Sequence, residues 1–298
     1  MTTCSSSSSL DANKILDPNF VTGFSDASKK ITSGGIVVFG TNLTSTVGIK
    51  LTRKQLAMVQ LGPYQYGVII GLLLSDGWLI FASKTNKNAR LGFKQSLSHP
   101  GYVWFVFNIL SHYCSSYPRL TTGVRAGKRY YGLEFLTRSM PCMSVLHSLF
   151  YPKGIKVIPQ NIYNMLTPVA LAHLIMGDGS ALSHGLIICT NSYSLEDIVR
   201  LMNVLMIRYR LECTITLKRQ NKKIEYMIYI RQTSMPSLFN IVSPYMHPSM
   251  LYKLKSSFSN PSNRNKIEVF DKDTNQTSAC SRLNEAAIAL NCNHTSTP

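Results

Sequence analysis

Carboxylates are scarce in this chain: 14 Asp and Glu stand against 31 Lys and Arg, and the formal net charge is +17. So strong an excess predicts a polyanionic partner, most simply nucleic acid. An anionic membrane surface is the other option, and a basic face that is merely solvated is the plain alternative. No Cys-x-x-Cys pair occurs among the seven cysteines, which argues against the usual zinc spacing, and the odd, irregular set suits free thiols in a reducing compartment. No apolar run approaches the roughly 20 residues that a membrane span needs. The N-terminus carries neither the basic nor the apolar block of a secretory signal. What is present is an apolar content of 45% over 298 residues, enough for one large domain or two ordinary ones with a sizeable core.

The few acids are placed unevenly. Between Ser28 and Leu195 only Asp76, Glu134 and Asp178 occur, and two of them sit in matching contexts. "VIIGLLLSDGW" ends on Asp76-Gly77-Trp78 and "LAHLIMGDGSA" carries Asp178-Gly179, each acid following a small residue, Ser75 or Gly177, at the end of an apolar run. A helix C-terminus carries partial negative charge, so an acid there is slightly unfavourable and calls for another reason. An Asp-Gly turn into a strand accounts for either one alone. For two at repeat-equivalent positions in an acid-poor segment of a basic protein it is the weaker explanation. The repeat extends further: Ser139-Met140-Pro141 and Ser234-Met235-Pro236 each follow a strand pattern and precede a helix pattern, and the halves close on Lys156 and Lys253.

Periodicity gives the same element order in each half. The first reads as a helix over about 64–76, strands near 78–84 and 89–97, a helix near 100–114, strands near 119–125 and 129–138, and a helix near 141–150. The second reads as a helix at about 167–177, strands near 180–190, a helix near 194–209, strands at about 212–219 and 223–232, and a helix near 235–246. The expected fold is α+β, a pseudo-twofold pair of αββαββα units. Gly67, Gly71 and Ser75 recur every fourth residue, which lets two helix backbones approach closely and brings Asp76 and Asp178 together at one end.

At these residues the chain resembles the LAGLIDADG homing endonucleases of the single-chain, two-motif kind. The likeness rests on Ile69 to Gly77 and Leu171 to Gly179, and it extends over roughly Gly40 to Leu254. The second motif departs from the family name, with His173 in place of glycine and Met176 in place of an acid, so His173 must pack against Gly71 and the halves are not fully symmetric. The resemblance implies two saddle-shaped antiparallel sheets in the DNA major groove, with the motif helices packed at the centre. It implies that Asp76 and Asp178 bind Mg²⁺, with Mn²⁺ able to substitute, and that the two sites cut opposite strands. The backbone carbonyls of Ser75 and Gly177 are candidate extra ligands. Lys156 and Lys253 fall at the positions of the basic residues that the family uses near each site to polarise water or stabilise the transition state, their plain alternative being a phosphate contact or a surface lysine. Phosphodiester hydrolysis needs activated water and charge neutralisation at the leaving oxygen, which converging carboxylates with a metal ion supply.

Groove reading falls to residues alternating on the strands: Arg90, Lys94, Gln95, Arg119, Arg125, Lys128, Arg129 and Arg138 in the first half, and Thr190, Asn191, Lys218, Arg219, Lys222, Lys223 and Arg231 in the second. Arg and Lys suit guanine, and Gln and Asn suit adenine; for each, a phosphate contact or a solvated face is the alternative. The expected organisation is a leader at 1–50 with a serine run and a motif-like relic at Leu16 to Ser28, a first half at 51–160, a second at 161–254, a linker at 255–266 and a small modular DNA-binding segment at 267–298. The function so read is a site-specific double-strand endonuclease that starts intron homing. It acts as a monomer with internal pseudo-symmetry on double-stranded DNA, away from membranes. The family resemblance implies a mitochondrial location, although no targeting sequence is seen. The alternative is a maturase that binds the host intron RNA and assists splicing. A transcription-type DNA binder shares the charge but leaves the paired acids unexplained.

Overall fold

The computed structural model describes residues 43–257, apart from positions 84, 126, 221 and 222, together with 267–271 and 276–280. The expectations for the leader up to 42, for 258–266 and for the part of the modular DNA-binding segment beyond 280 lie outside these residues. A short helix α1 (Arg53–Met58), closed by a capping box between Thr52 and Gln55, leads into the first half. There the order is α2 (Pro63–Leu74), β1 (Trp78–Phe81), β2 (Ala89–Ser96), α3 (Pro100–Leu110), β3 (Arg119–Arg125), β4 (Lys128–Leu136) and α4 (Pro141–Phe150). A single turn, α5 (Ile162–Met165), precedes the second half: α6 (Pro168–Asp178), β5 (Gly179–Leu182), β6 (Gly185–Cys189), α7 (Leu195–Tyr209), β7 (Cys213–Gln220), β8 (Lys223–Arg231) and α8 (Met235–Val242). The αββαββα order is present twice, as the sequence implied. The strands form two four-stranded antiparallel sheets of equivalent order, β1-β2-β4-β3 and β5-β6-β8-β7. A separate unit carries one antiparallel pair, β9 (Ile267–Asp271) with β10 (Gln276–Cys280).

Local chemistry sets the helix starts. Proline stands at the beginning of α2, α3, α4 and α6, where its missing N–H costs nothing and its fixed φ is already helical. Thr167 and Ser194 cap α6 and α7 by accepting from Ala170 N and Asp197 N. Glu196 and Asp197 in the first turn of α7 and Arg208 in its last complement the helix dipole. α2 and α6 differ from the other helices in being buried on every side. From Gly67 to Leu74 and from Val169 to Met176 every residue is buried, because these two helices pack on each other and the sheets and outer helices close around them.

That pairing depends on the small residues. A Cβ on Gly71 would collide with the Ala170 carbonyl oxygen and sit 2.5 Å from His173 Cβ. His173 fills the space opposite, fully buried, stacked on Phe105 with ring centroids 6.0 Å apart and 3.3 Å from the Tyr102 hydroxyl through Nδ1. Burial pushes its pKa down to about 3, so it is a neutral packing group. The expected contact of His173 with Gly71 is present.

Candidate active site and nucleic-acid interface

The two acids stand at the adjoining ends of α2 and α6. α2 stops at Ser75, whose N–H and that of Gly77 both turn back to the Leu72 carbonyl, at 3.0 and 2.7 Å. Asp76 therefore lies in a turn two residues beyond the helix and is exposed. Asp178 is itself the last residue of α6 and is half-buried. Close approach requires Gly177: a Cβ there would lie 2.5 Å from Ser75 Oγ and 3.1 Å from Asp76 Oδ2. The helix pair thus brings the two acids together.

Two lysines reach the same place from opposite halves. Lys156 Nζ donates to the carbonyls of Ser75 (3.0 Å) and Gly77 (2.9 Å), and Lys253 Nζ to those of Met176 (2.6 Å) and Gly177 (2.7 Å). Each lysine closes the C-terminus of one motif helix, where a cation is favoured. Tyr193 completes the end of α2 from the second half, its hydroxyl donating to Leu73 and Leu74 carbonyls. Nothing in the sequence pointed to Tyr193, because its partners are more than a hundred positions away.

The charges shift one another. Burial first, and the nearby Asp76 carboxylate second, raise Asp178 to about 7, against the pull of Lys156 and Lys253. Burial lowers Lys156 to about 8, opposed by Asp178 and Asp76. Burial lowers Lys253 as well, opposed by the same acids. The donor set is all oxygen: two carboxylates and the carbonyls of Ser75 and Gly177. Each carbonyl has a second lone pair beyond the one its lysine takes. This set fits a hard cation that keeps several waters. Among the described residues no cluster of three or more His, Cys, Asp or Glu forms a closed protein cage.

The strand register sorts the groove candidates. Lys94, Glu134 and Arg119 lie side by side across β2, β4 and β3, and Arg90 shares their face. Leu91 and Phe93 point the other way, into the core. Positions 125 and 128 fall on the open rows of the first sheet, and positions 218, 223 and 231 on those of the second. Arg119 is exposed and paired with Glu134 at 2.9 Å, Lys94 lies over the Tyr130 ring, and Arg231 stands 3.9 Å from Glu212. Asn191 is exposed beyond the end of β6.

Other candidates are placed elsewhere. Gln95 has the parity of Leu91 and Phe93, and its amide donates to Asp76 Oδ2 at 2.5 Å, so it belongs to the acid site rather than to the open rows. Arg138 is a strut: its guanidinium donates to Thr46 Oγ1 (2.6 Å), Thr46 O (2.8 Å), Ile49 O (2.7 Å) and the Cys114 carbonyl, tying the segment before α1 to the first half. Thr190 is buried, with its hydroxyl on the Tyr226 carbonyl. Positions 129 and 219 have the parity of the helix-facing rows. Lys222 lies outside the described residues.

Comparison with known proteins gives a consistent family. The sequence model of the LAGLIDADG DNA endonuclease family matches residues 66–238. The chain is 34% identical over 221 residues to the cytochrome b mRNA maturase bI2 of Saccharomyces cerevisiae, covering 70% of this chain and 52% of that one. It therefore spans about half the length of that relative. It is 38% identical over 122 residues to the intron-encoded endonuclease ai4 of Dictyostelium discoideum, covering 41% of this chain and 76% of that one. Among solved structures it shares its fold with the homing endonuclease I-WcaI bound to its DNA recognition sequence. The TM-score is 0.62 at 24% identity, over 69% of this chain and 95% of that one.

Proposed function

The chain belongs to the LAGLIDADG DNA endonuclease family, and from that premise we propose that it is a site-specific endonuclease that cuts both strands of a long DNA target to start intron homing. The observation that carries this reading is the packing of Gly177, the residue before Asp178, on Ser75 and Asp76 so closely that no Cβ would fit, which sets the Asp76 charge near enough to raise Asp178. Two carboxylates so close to each other cost stability, and helix packing alone gives no return for it. Asp76 and Asp178, with the Ser75 and Gly177 carbonyls, are the groups that would hold Mg²⁺ or Mn²⁺. When bound, the ion supplies Lewis acidity at the scissile phosphates and lowers the pKa of water.

The protein side chains then have distinct tasks. Gln95 fixes the Asp76 carboxylate through its amide. Lys156 and Lys253 hold the carbonyl frame of the motif ends and place positive charge where the phosphates gather negative charge. The open rows of the two sheets, with Arg90, Lys94, Arg119 and Arg231, bind backbone and bases, and one chain carrying both halves acts as a monomer. Cleavage of a plasmid bearing the intronless form of the host gene should require Mg²⁺ or Mn²⁺ and stop in excess EDTA. Undiminished cutting in EDTA would refute the assignment of the acids.

The relative whose name is a cytochrome b mRNA maturase favours a second reading, in which the same chain binds its host intron RNA and assists splicing. The names of these relatives also favour a mitochondrial origin. Splicing assistance rests on shape and charge, so it should survive the double change of Asp76 and Asp178 to Asn. An in vitro splicing assay separates the two activities.

A further inference from the structure

Resting on the endonuclease reading above, we infer that the two halves of the DNA target differ in base composition: G·C pairs face the first sheet and A·T pairs face the second in the rows flanking the acid site. The rows are matched by register. Trp78 pairs with Gly92 two residues after Asp76, and Ser180 pairs with Ile187 two residues after Asp178. Two positions further along β2 and β6, the next open row is Lys94–Glu134–Arg119 in the first half and Cys189–Met227–Thr216 in the second.

These rows offer opposite chemistry. In the first, Lys94 and Arg119 supply donors for guanine O6 and N7, and Glu134 supplies an acceptor for cytosine N4. The 2.9 Å pair between Arg119 and Glu134 holds both in place beforehand, and Arg119 remains 67% exposed. Arg90, on the same face, has a buried Nε with no hydrogen-bond partner. In the second, Met227 and the Thr216 methyl present apolar surface suited to the thymine C5-methyl, and Ile187 extends it in the neighbouring row. No charged side chain stands in the Cys189–Met227–Thr216 row, and the row beside it is uncharged in both halves, Trp78–Gly92–Leu136 in the first and Ser180–Ile187–Tyr229 in the second, so the contrast lies in this one row. A guanine there would meet no Arg or Lys fork, only hydroxyls, that of Thr216 being turned to the Met227 carbonyl, which costs about tenfold or more per base pair.

The full chain would be incubated in EDTA with duplexes randomised in both half-sites, and the bound fraction sequenced. One half should enrich G·C and the other A·T, each by about tenfold per position. Thr216→Arg should move the A·T half toward G·C and leave the other half unchanged. Met227→Lys, on the same row, should do the same and serves if the first variant folds poorly. Lys94→Met should weaken the G·C preference in the opposite half alone. Equal composition in both halves, or one half responding to both Lys94→Met and Thr216→Arg, would overturn the inference. Enriched duplexes that stay uncut when Mg²⁺ is added would instead sink the endonuclease reading and leave the base preference standing.

Discussion

Asp76 and Asp178 end equivalent runs of sequence, yet they finish in different surroundings. Asp76 lies beyond its helix, exposed, with the Gln95 amide on one oxygen. Asp178 closes its helix, half-buried, and among the described residues its carboxylate takes no hydrogen bond from a side chain. The hydrogen-bonding part of the difference comes from one strand position. Three residues beyond Gly92 stands Gln95; three beyond Ile187, at the matching register, stands Thr190, turned inward to the Tyr226 carbonyl. Internal repetition therefore keeps an acid at the end of each motif but not the same support around it. Two half-sites built on one plan should then work at different rates.

The strongest way to break that comparison is to remove the acids. Asp76→Asn with Asp178→Asn should lower double-strand cleavage by more than about 1,000-fold, the scale of losing a central catalytic group. Specific binding should persist. Each single change should leave nicking, and the two should spare opposite strands on a strand-labelled gel. A double variant that still linearises the target plasmid would make both acids ordinary turn residues.

The lysines test whether each half-site has its own cation. Lys156→Met and Lys253→Met should each slow cleavage by about 100-fold, in line with loss of one preorganised donor. Because Lys156 holds the Ser75 end and Lys253 the Gly177 end, each should slow one strand more than the other. Identical slowing of both strands by either change would show a single shared cation site.

A finer probe is the amide. Gln95→Ala should slow one strand by about tenfold and change the ratio of the two nicked intermediates, whereas Thr190→Gln should accelerate the opposite strand or leave it unchanged. Strand-resolved kinetics give the ratio directly, and equal slowing of both strands by Gln95→Ala would remove the asymmetry.

The smallest effect is thermodynamic. In metal-free protein Asp178 is raised from 3.8 to about 7, so the folded state retains a proton that the unfolded chain releases. Its contribution to stability is full below about pH 4 and is lost as pH rises through about 7. Lys156, lowered from 10.5 to about 8, behaves oppositely: its contribution is present above 10.5 and is lost as pH falls through about 8. Asp178→Asn should therefore flatten the pH dependence of the unfolding free energy between pH 4 and 7, by on the order of 1 kcal/mol. An unchanged slope would show that Asp178 titrates normally.

The elements themselves were legible to within a few residues, because proline starts, Asp-Gly ends and strand alternation are local signals. The meeting of the two motif helices followed from Gly67, Gly71 and Ser75. What the chain did not disclose were partners set by tertiary distance. Arg138 looks like any basic strand residue until the Thr46 segment folds onto it. Thr190 reads as a polar groove residue until its hydroxyl is seen on Tyr226. Gln95 carried a signal that was available: it continues the alternation of Leu91 and Phe93, which faces away from the open rows.

The fit of His173 against Gly71 also decides which halves can meet. A pair of second halves would set one imidazole against another in a space made for none. A pair of first halves would set glycine against glycine and leave a void where the ring belongs. Expressed as separate chains, the halves would then choose the unlike partner, and the molecule works as a lock and key within a single polypeptide. Such a chain is committed to asymmetry, and each sheet is free to drift toward its own stretch of DNA without the other having to follow.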